Sequence, residues 1–218
     1  YEANDDGTPR YYNAVGLVKE SGIDVWYDKQ HLVMFGEYVP LQRYFPFLSL
    51  VTPIDGSYSP GGEPRLIPVD GVTFGPLICF EDVFSYLARD MARRGADILL
   101  NVTNDGWFKS SPEPYQHAAL AAFRAVEVRR PLLRATNTGV TVLIDRLGRV
   151  LATISVDGRR TQVEGKMVCN IPVHRDIETT VYRELGDWLP LSATVVWGAG
   201  VAMAVWRGAR RGRATTSR

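Results

Sequence analysis

The chain is poor in several features that would define it quickly. It has two cysteines, Cys79 and Cys169, in 218 residues, too few for a disulfide-stapled scaffold. Cys169 lies in a short strand-like run and reads as core. The three histidines, His31, His117 and His174, are far apart and lack ligand spacing, so they read as structural hydrogen-bonding residues and not as a metal site. There is no glycine-rich phosphate loop and no G-x-S-x-G elbow, and no cofactor is implied. Net charge is only +1, yet residues 207–218 hold five arginines and no acid, so the rest of the chain carries −4. A mildly acidic body with a short basic tail speaks against nucleic-acid binding by the body. The chain begins with Tyr1, and no charged, then apolar, leader pattern follows. The expectation is a chain that starts inside a longer protein.

What is present is a folding composition, 45% hydrophobic and 22% charged, with enough length for one real core. Residues 1–13 are polar and turn-rich. Ala14 to Val18 and Asp24 to Tyr27 read as short strands. Pro40 to Pro68 is rich in Pro, Gly, Ser and aromatics and reads as a long irregular excursion, functional or mobile. Its aromatics Tyr44, Phe45, Phe47 and Tyr58 either face lipid or fold back on the domain, the second being the commoner outcome.

Val72 to Ile78 is an apolar run that reads as a buried strand ending on Cys79. Asp82 to Arg94 reads as a helix stopped by Gly95. Ala96 to Val102 is a second apolar strand, followed by the turn 103–108. Tyr115 to Arg130 reads as a helix opened by Ser111-Pro112 and closed by Pro131. Leu132 to Thr136, Gly139 to Asp145, Arg149 to Ile154 and Met167 to Val173 read as strands, with a hairpin at Arg146-Leu147-Gly148. Strands alternating with helices, then paired strands, predict an α/β sandwich with a mixed sheet.

Trp188 to Trp206 is nineteen residues without a charge. As a helix it is about 28 Å long, close to the hydrocarbon thickness of a bilayer. A tryptophan stands at each end, and Arg207, Arg210, Arg211 and Arg213 follow. Length, flanking rings and one-sided arginines together predict a membrane span with the C-terminus cytoplasmic.

A strand that delivers a cysteine to a sharp turn before a helix presents its sulfur, and the free N–H groups of that helix favour a thiolate. The same position also suits a small buried hydrophobe. Lys29 and Glu37 share one loop, eight residues apart, and Cys79 and Glu81 share another.

Several stretches carry a resemblance: Y-D-K-Q-H-L-V-M-F-G-E-Y-V-P (Tyr27 to Pro40), I-C-F-E-D (Ile78 to Asp82), N-V-T-N-D-G-W-F (Asn101 to Phe108), Y-Q-H (Tyr115 to His117) and R-P-L-L-R-A-T-N-T-G-V-T (Arg130 to Thr141). In this order they resemble the nitrilase, or carbon-nitrogen hydrolase, superfamily, and within it the apolipoprotein N-acyltransferase family. The resemblance runs from about Tyr11 to Trp206. It implies an α/β/β/α sandwich and a Glu-Lys-Cys triad, with Cys79 as nucleophile and Lys29 as triad lysine. Glu37 and Glu81 match further supporting glutamates. It also implies the partners: a phospholipid acyl donor, a diacylglyceryl-lipoprotein acceptor, and the bacterial inner membrane with the body on its outer side. Residues 1–186 would form the nitrilase-like domain, 187–206 the transmembrane helix and 207–218 the basic tail.

The chemistry agrees with the residue types. A neighbouring ammonium favours the thiolate and can stabilise an oxyanion, and a carboxylate can hold that ammonium in place. Trp107 and Phe108 either line the mouth of an acyl site or pack in a turn. The departures are Met34 where the family usually has proline, Phe80 where tyrosine is common, and the triad glutamate, which the family carries well upstream of the lysine. Glu2 and Glu20 lack its surrounding motif. Two alternatives stand beside this one: an amidase acting on a small C–N bond, and a catalytically incomplete remnant.

Overall fold

The computed structural model describes residues 7, 9–42, 44, 45, 47, 48, 57–174 and 179–215, with side chains of the last helix described through Arg207. The predicted loop at residues 1–6, Glu2, residues 51–56 of the excursion, and the side chains of Arg210, Arg211 and Arg213 lie outside the described residues. The chain divides into two units, 1–183 and 184–218.

The first unit is built on a six-stranded mixed sheet of order β3-β4-β5-β6-β7-β8, with a separate two-stranded ribbon, β1-β2. The ribbon comprises β1 (Ala14–Lys19) and β2 (Gly22–Asp28), antiparallel. In the main sheet β3 (Ile67–Val69) pairs antiparallel with β4 (Val72–Ile78). Strands β4, β5 (Ile98–Thr103) and β6 (Leu132–Thr136) are parallel. Strands β7 (Val142–Ile144) and β8 (Val150–Thr153) close the sheet as an antiparallel meander. Parallel neighbours need crossovers. These are α1 (Ser85–Arg93) and α2 (Glu113–Val128).

Each strand of this centre follows from its sequence. β4 is nearly all apolar and its last four residues are buried, as expected of a strand covered on both faces. Pro76 is tolerated there because β3 pairs only with Val72 to Phe74, which leaves one edge of β4 without a ladder at the proline. Gly75 lets α1 approach closely: a Cβ there would stand 2.8 Å from Met91 Cβ and 2.9 Å from Ala96 Cβ. The core gathers Leu77, Leu87, Met91, Leu99, Ala121, Ala125, Leu132 and Ile144.

The structure departs from the sequence reading in several places. The helix predicted from Asp82 is two pieces: a short 3-10 turn, Cys79–Val83, and then α1 from Ser85. The run Met167 to Val173 forms no strand, because no neighbour offers it a ladder among the described residues. Cys169 is half-buried there, outside the core. Strand β3 takes in the last two residues of the stretch read as an irregular excursion, Pro40 to Pro68, and Val69 after it. Tyr44, Phe45, Phe47 and Tyr58 are all exposed; none folds back into the core. Trp107 is 73% exposed, so it does not pack in its turn.

The second unit is the helix α4 (Trp188–Thr215) with the end of the short α3 (Val181–Leu185). Residues Trp188–Arg207 are long and apolar enough to cross a membrane, and none of that span is buried. Ser192 and Thr194 donate their hydroxyls to the carbonyls of Trp188 and Pro190, at 2.5 and 2.8 Å. This four-residue back-bonding satisfies each hydroxyl inside its own helix.

Candidate active site

The three parallel strands end on the same side of the sheet, which is where open α/β sheets place their ligand sites. β4 ends at Cys79, β5 at Asn104-Asp105, and β6 at Asn137. Cys79 has φ +53°, a left-handed conformation that costs a non-glycine residue free energy. The strand stops and a 3-10 turn begins at that residue. Such a strained strand-to-helix turn holds a nucleophile clear of the backbone around it.

Lys29 follows β2 directly. Its backbone is fixed on both sides: its N–H donates to Asn13 O at 2.8 Å, and its carbonyl accepts from Gly61 N at 2.7 Å. The second contact needs a glycine, because a Cβ at Gly61 would meet Asp28 O at 2.3 Å. The Lys29 side chain is buried, and Nζ donates to Glu37 Oε2 at 2.7 Å. The Glu37 carboxylate also accepts from Val33 N and Asn13 Nδ2, each at 2.8 Å. Burial works against its charge, but hydrogen bonds from Lys29, Val33 and Asn13 outweigh that and hold it below the usual glutamate range. The predicted Lys29–Glu37 pair is therefore a buried, three-donor arrangement and not a surface ion pair.

Glu81 links the two loops. It is fully buried. Oε1 accepts from Gln30 N at 2.7 Å and His31 N at 3.0 Å; Oε2 accepts from Ile78 N at 2.7 Å; Tyr27 Oη donates to both oxygens at 3.0 Å. One carboxylate thus grips the residue after Lys29 and the residue before Cys79. Burial pushes the Glu81 carboxyl up, against the N–H donors that pull it down. Burial and the Glu81 charge push the Tyr27 phenol well up, so Tyr27 stays a donor. Glu81→Gln leaves one oxygen for four donors and turns an amide donor against at least one of them. We expect it to cost about 2 kcal/mol of stability, with faster hydrogen exchange at the Ile78, Gln30 and His31 amides in the same variant. Unchanged exchange there would contradict the bridging role.

Beneath Cys79 lies a cluster of which sequence reasoning singled out only His117, as a structural hydrogen-bonding residue. Asp82, Asp105, His117 and Arg134 are all buried. Arg134 Nη1 donates to Asp82 Oδ2, and Nη2 to Asp105 Oδ2 at 2.9 Å. His117 Nε2 meets Asp82 Oδ1 at 2.7 Å, and Nδ1 meets Asp105 Oδ1 at 3.2 Å. Nδ1 also lies 2.8 Å from Arg134 Nη2, a contact that suits a neutral ring, whereas two flanking carboxylates suit a charged one. The charged ring is the better account, because one imidazolium makes the buried quartet neutral. Burial pushes His117 down, but its hydrogen bonds to Asp105 and Asp82 prevail and raise it to about 9. Gly139 gives Asp105 its room: a Cβ there would fall 1.9 Å from Oδ2. The available signal was a charged residue inside the apolar strand Leu132-Leu133-Arg134-Ala135, since a buried charge must be partnered.

This has a pH consequence. A group raised on folding stabilises the fold fully below its unfolded pKa and loses that contribution as pH rises through its folded one. For His117 the window runs from 6.5 to about 9. The groups facing it are Asp82, Asp105, Arg134 and, on its own helix, Glu113. Unfolding free energy is expected to fall by on the order of 3 kcal/mol across that window. Calorimetry of the parent and His117→Gln between pH 6 and 10 measures it; equal slopes in both would refute it.

His31 Nδ1 lies 2.8 Å from Tyr86 Oη and its ring stacks 3.7 Å from Phe84. Burial and the Lys29 charge push it down, so it is a neutral wall residue. Glu20 sits in the exposed β1-β2 turn, at the end of the ribbon away from Asp28 and Lys29.

A mixed sheet with these crossovers, carrying a cysteine on a strained turn, is a nitrilase-type fold. A solved glutamine-dependent NAD+ synthetase from Acinetobacter baumannii shares it with a TM-score of 0.55 at 16% identity, over 82% of this chain and 33% of that one. Residues 1–163 match the Carbon-nitrogen hydrolase family, and the chain belongs to it. The sequence is 46% identical over 123 residues to the apolipoprotein N-acyltransferase of Geobacter metallireducens, covering 56% of this chain and 24% of that protein. It is 37% identical over 212 residues to the apolipoprotein N-acyltransferase of Bdellovibrio bacteriovorus, covering 94% and 37%. The chain thus spans well under half the length of these relatives.

Proposed function

We propose that this chain is the nitrilase-like portion of a membrane N-acyltransferase that acylates the N-terminal diacylglyceryl-cysteine of lipoproteins. The observation that carries the reading is the Cys79 turn, tied through Glu81 to the loop of a buried, carboxylate-held Lys29. Likeness to relatives named for that activity supports the substrate class. The exposed aromatics of the excursion, Trp107, and the apolar Trp188–Arg207 helix suit substrates that reside in lipid.

In this reading the Cys79 thiolate attacks the ester carbonyl of a phospholipid. A C–S bond forms, the C–O bond breaks, and the lysophospholipid oxygen takes a proton. The amine of the acceptor then attacks the thioester. A C–N bond forms, the C–S bond breaks, and the thiolate returns as the amine gives up a proton. Lys29 supplies positive charge to the oxyanion of both tetrahedral intermediates. The backbone N–H of Phe80, in the first turn of the 3-10 piece, where N–H groups have no intrahelical acceptor, is the second donor, as at other nucleophile turns. Glu37 and Glu81 position these groups. The general base would be the triad glutamate that the family resemblance implies.

The body, residues 1–186, would lie on the outer side of the bacterial inner membrane, 187–206 would span it, and the arginine-rich 207–218 would be cytoplasmic. The test is to incubate the intact protein in mixed detergent–phospholipid micelles and examine the Cys79 peptide by mass spectrometry. A hydroxylamine-labile acyl adduct on Cys79 is expected. An unmodified Cys79 in protein that still turns over would overturn the reading. An amidase would instead hydrolyse a small amide and fractionate without membrane.

A further inference from the structure

We infer that Asn101, clamped by Arg134, is a positioning residue that aims the Phe80 N–H at the oxyanion formed on Cys79; this rests on the nucleophile reading above. Asn101 is fully buried in β5. Its Nδ2 donates to Cys79 O at 2.9 Å and, more weakly, to Leu77 O at 3.4 Å. Its Oδ1 accepts from Arg134 Nη1 at 3.0 Å. The amide has only one orientation that works. A guanidinium can only donate and a carbonyl can only accept, so oxygen must face Arg134 and nitrogen must face Cys79.

The consequence follows from peptide geometry. The Cys79–Phe80 peptide is planar and trans, so its C=O and N–H point in opposite directions. Holding the carbonyl inward, against a residue with no exposure, turns the Phe80 N–H outward. The peptide plane needs such a clamp because φ of Cys79, +53°, lies in a strained region that relaxes if released. Arg134 is fixed in turn by Asp82 and Asp105. Asp82 belongs to the Cys79 turn itself, so the clamp closes on the element it holds. No buried polar atom of Asn101 lacks a partner, and the ladder register of β5 is complete without its side chain.

The test separates thiolate chemistry from oxyanion chemistry in the intact protein. Alkylation of Cys79 by iodoacetamide passes through no oxyanion; acylation by phospholipid does. Asn101→Asp keeps the size and the Arg134 contact but replaces the donor facing Cys79 O with an acceptor. Asn101→Ala removes it. In both, acyl-Cys79 formation is expected to slow by about tenfold or more, since removing one oxyanion donor outright costs about 10²–10³. In Asn101→Ala, which adds no charge, the iodoacetamide rate and its pH profile should stay within about twofold. Equal acylation rates in parent and variants would overturn the inference. So would parallel loss of alkylation and acylation in both variants, which marks a purely structural role. If the parent itself forms no acyl-Cys79, the nucleophile reading fails first.

Discussion

Cys79→Ser in the intact protein is expected to lower acyl transfer by about 10³-fold or more, with the thermal midpoint nearly unchanged. The magnitude follows from the loss of a nucleophile whose partners act as a unit, which in other enzymes removes most of the acceleration at once. A serine hydroxyl is close in size to the thiol but far harder to ionise and a weaker nucleophile. The fold should tolerate the change. Serine accepts φ +53° about as well as cysteine, and Cys79 is only half-buried. Its fixed contact is through the backbone, to Asn101. The readout is acylation of a diacylglyceryl peptide followed by mass spectrometry, beside a melting curve. Parental activity in the serine variant would end the nucleophile assignment.

Lys29→Met should separate chemistry from stability. Methionine keeps most of the volume and removes the charge. Acylation is expected to fall by about 10²–10³, the usual cost of losing an oxyanion-stabilising group. Stability should fall too, by about 3 kcal/mol, because Glu37 keeps Val33 N and Asn13 but loses its countercharge in a site where its side chain is 13% exposed. Lys29→Met with Glu37→Gln removes both charges. That double variant should recover most of the stability and none of the activity, a non-additive pattern expected of contacting residues. Denaturant unfolding and the acylation assay, run on all three variants, give the answer. Recovery of activity in the double variant would show that the Lys29 charge matters only to the fold.

Lys29, Glu37, Cys79 and Glu81 were singled out in the chain chiefly by the resemblance of their stretches, and the structure brings Lys29 to Glu37 and Glu81 to the Cys79 turn. The roles of the two glutamates were not distinguishable in the sequence. One binds the ammonium; among the described residues the other binds three backbone N–H groups and a phenol. Sequence spacing does not reveal this: Glu37 serves an ammonium eight residues away, whereas Glu81 serves Ile78 three residues away and Tyr27, Gln30 and His31 fifty or more residues away. The Met167 to Val173 run shows the opposite failure. It is a short, largely apolar, strand-like run, yet a strand exists only if a neighbour pairs with it.

Local pattern by itself determined the strand Val72–Ile78 ending at a cysteine, the two crossover helices, the parallel centre they require, and the uncharged stretch from Trp188 to Trp206. Those features depend on periodicity, end signals and run length, all carried within about twenty residues. The burial of Lys29, the left-handed backbone at Cys79, and the quartet of Asp82, Asp105, His117 and Arg134 were decided only in three dimensions. Their members come from four different elements, and a charge far apart in sequence becomes a partner only when packing removes the water between them.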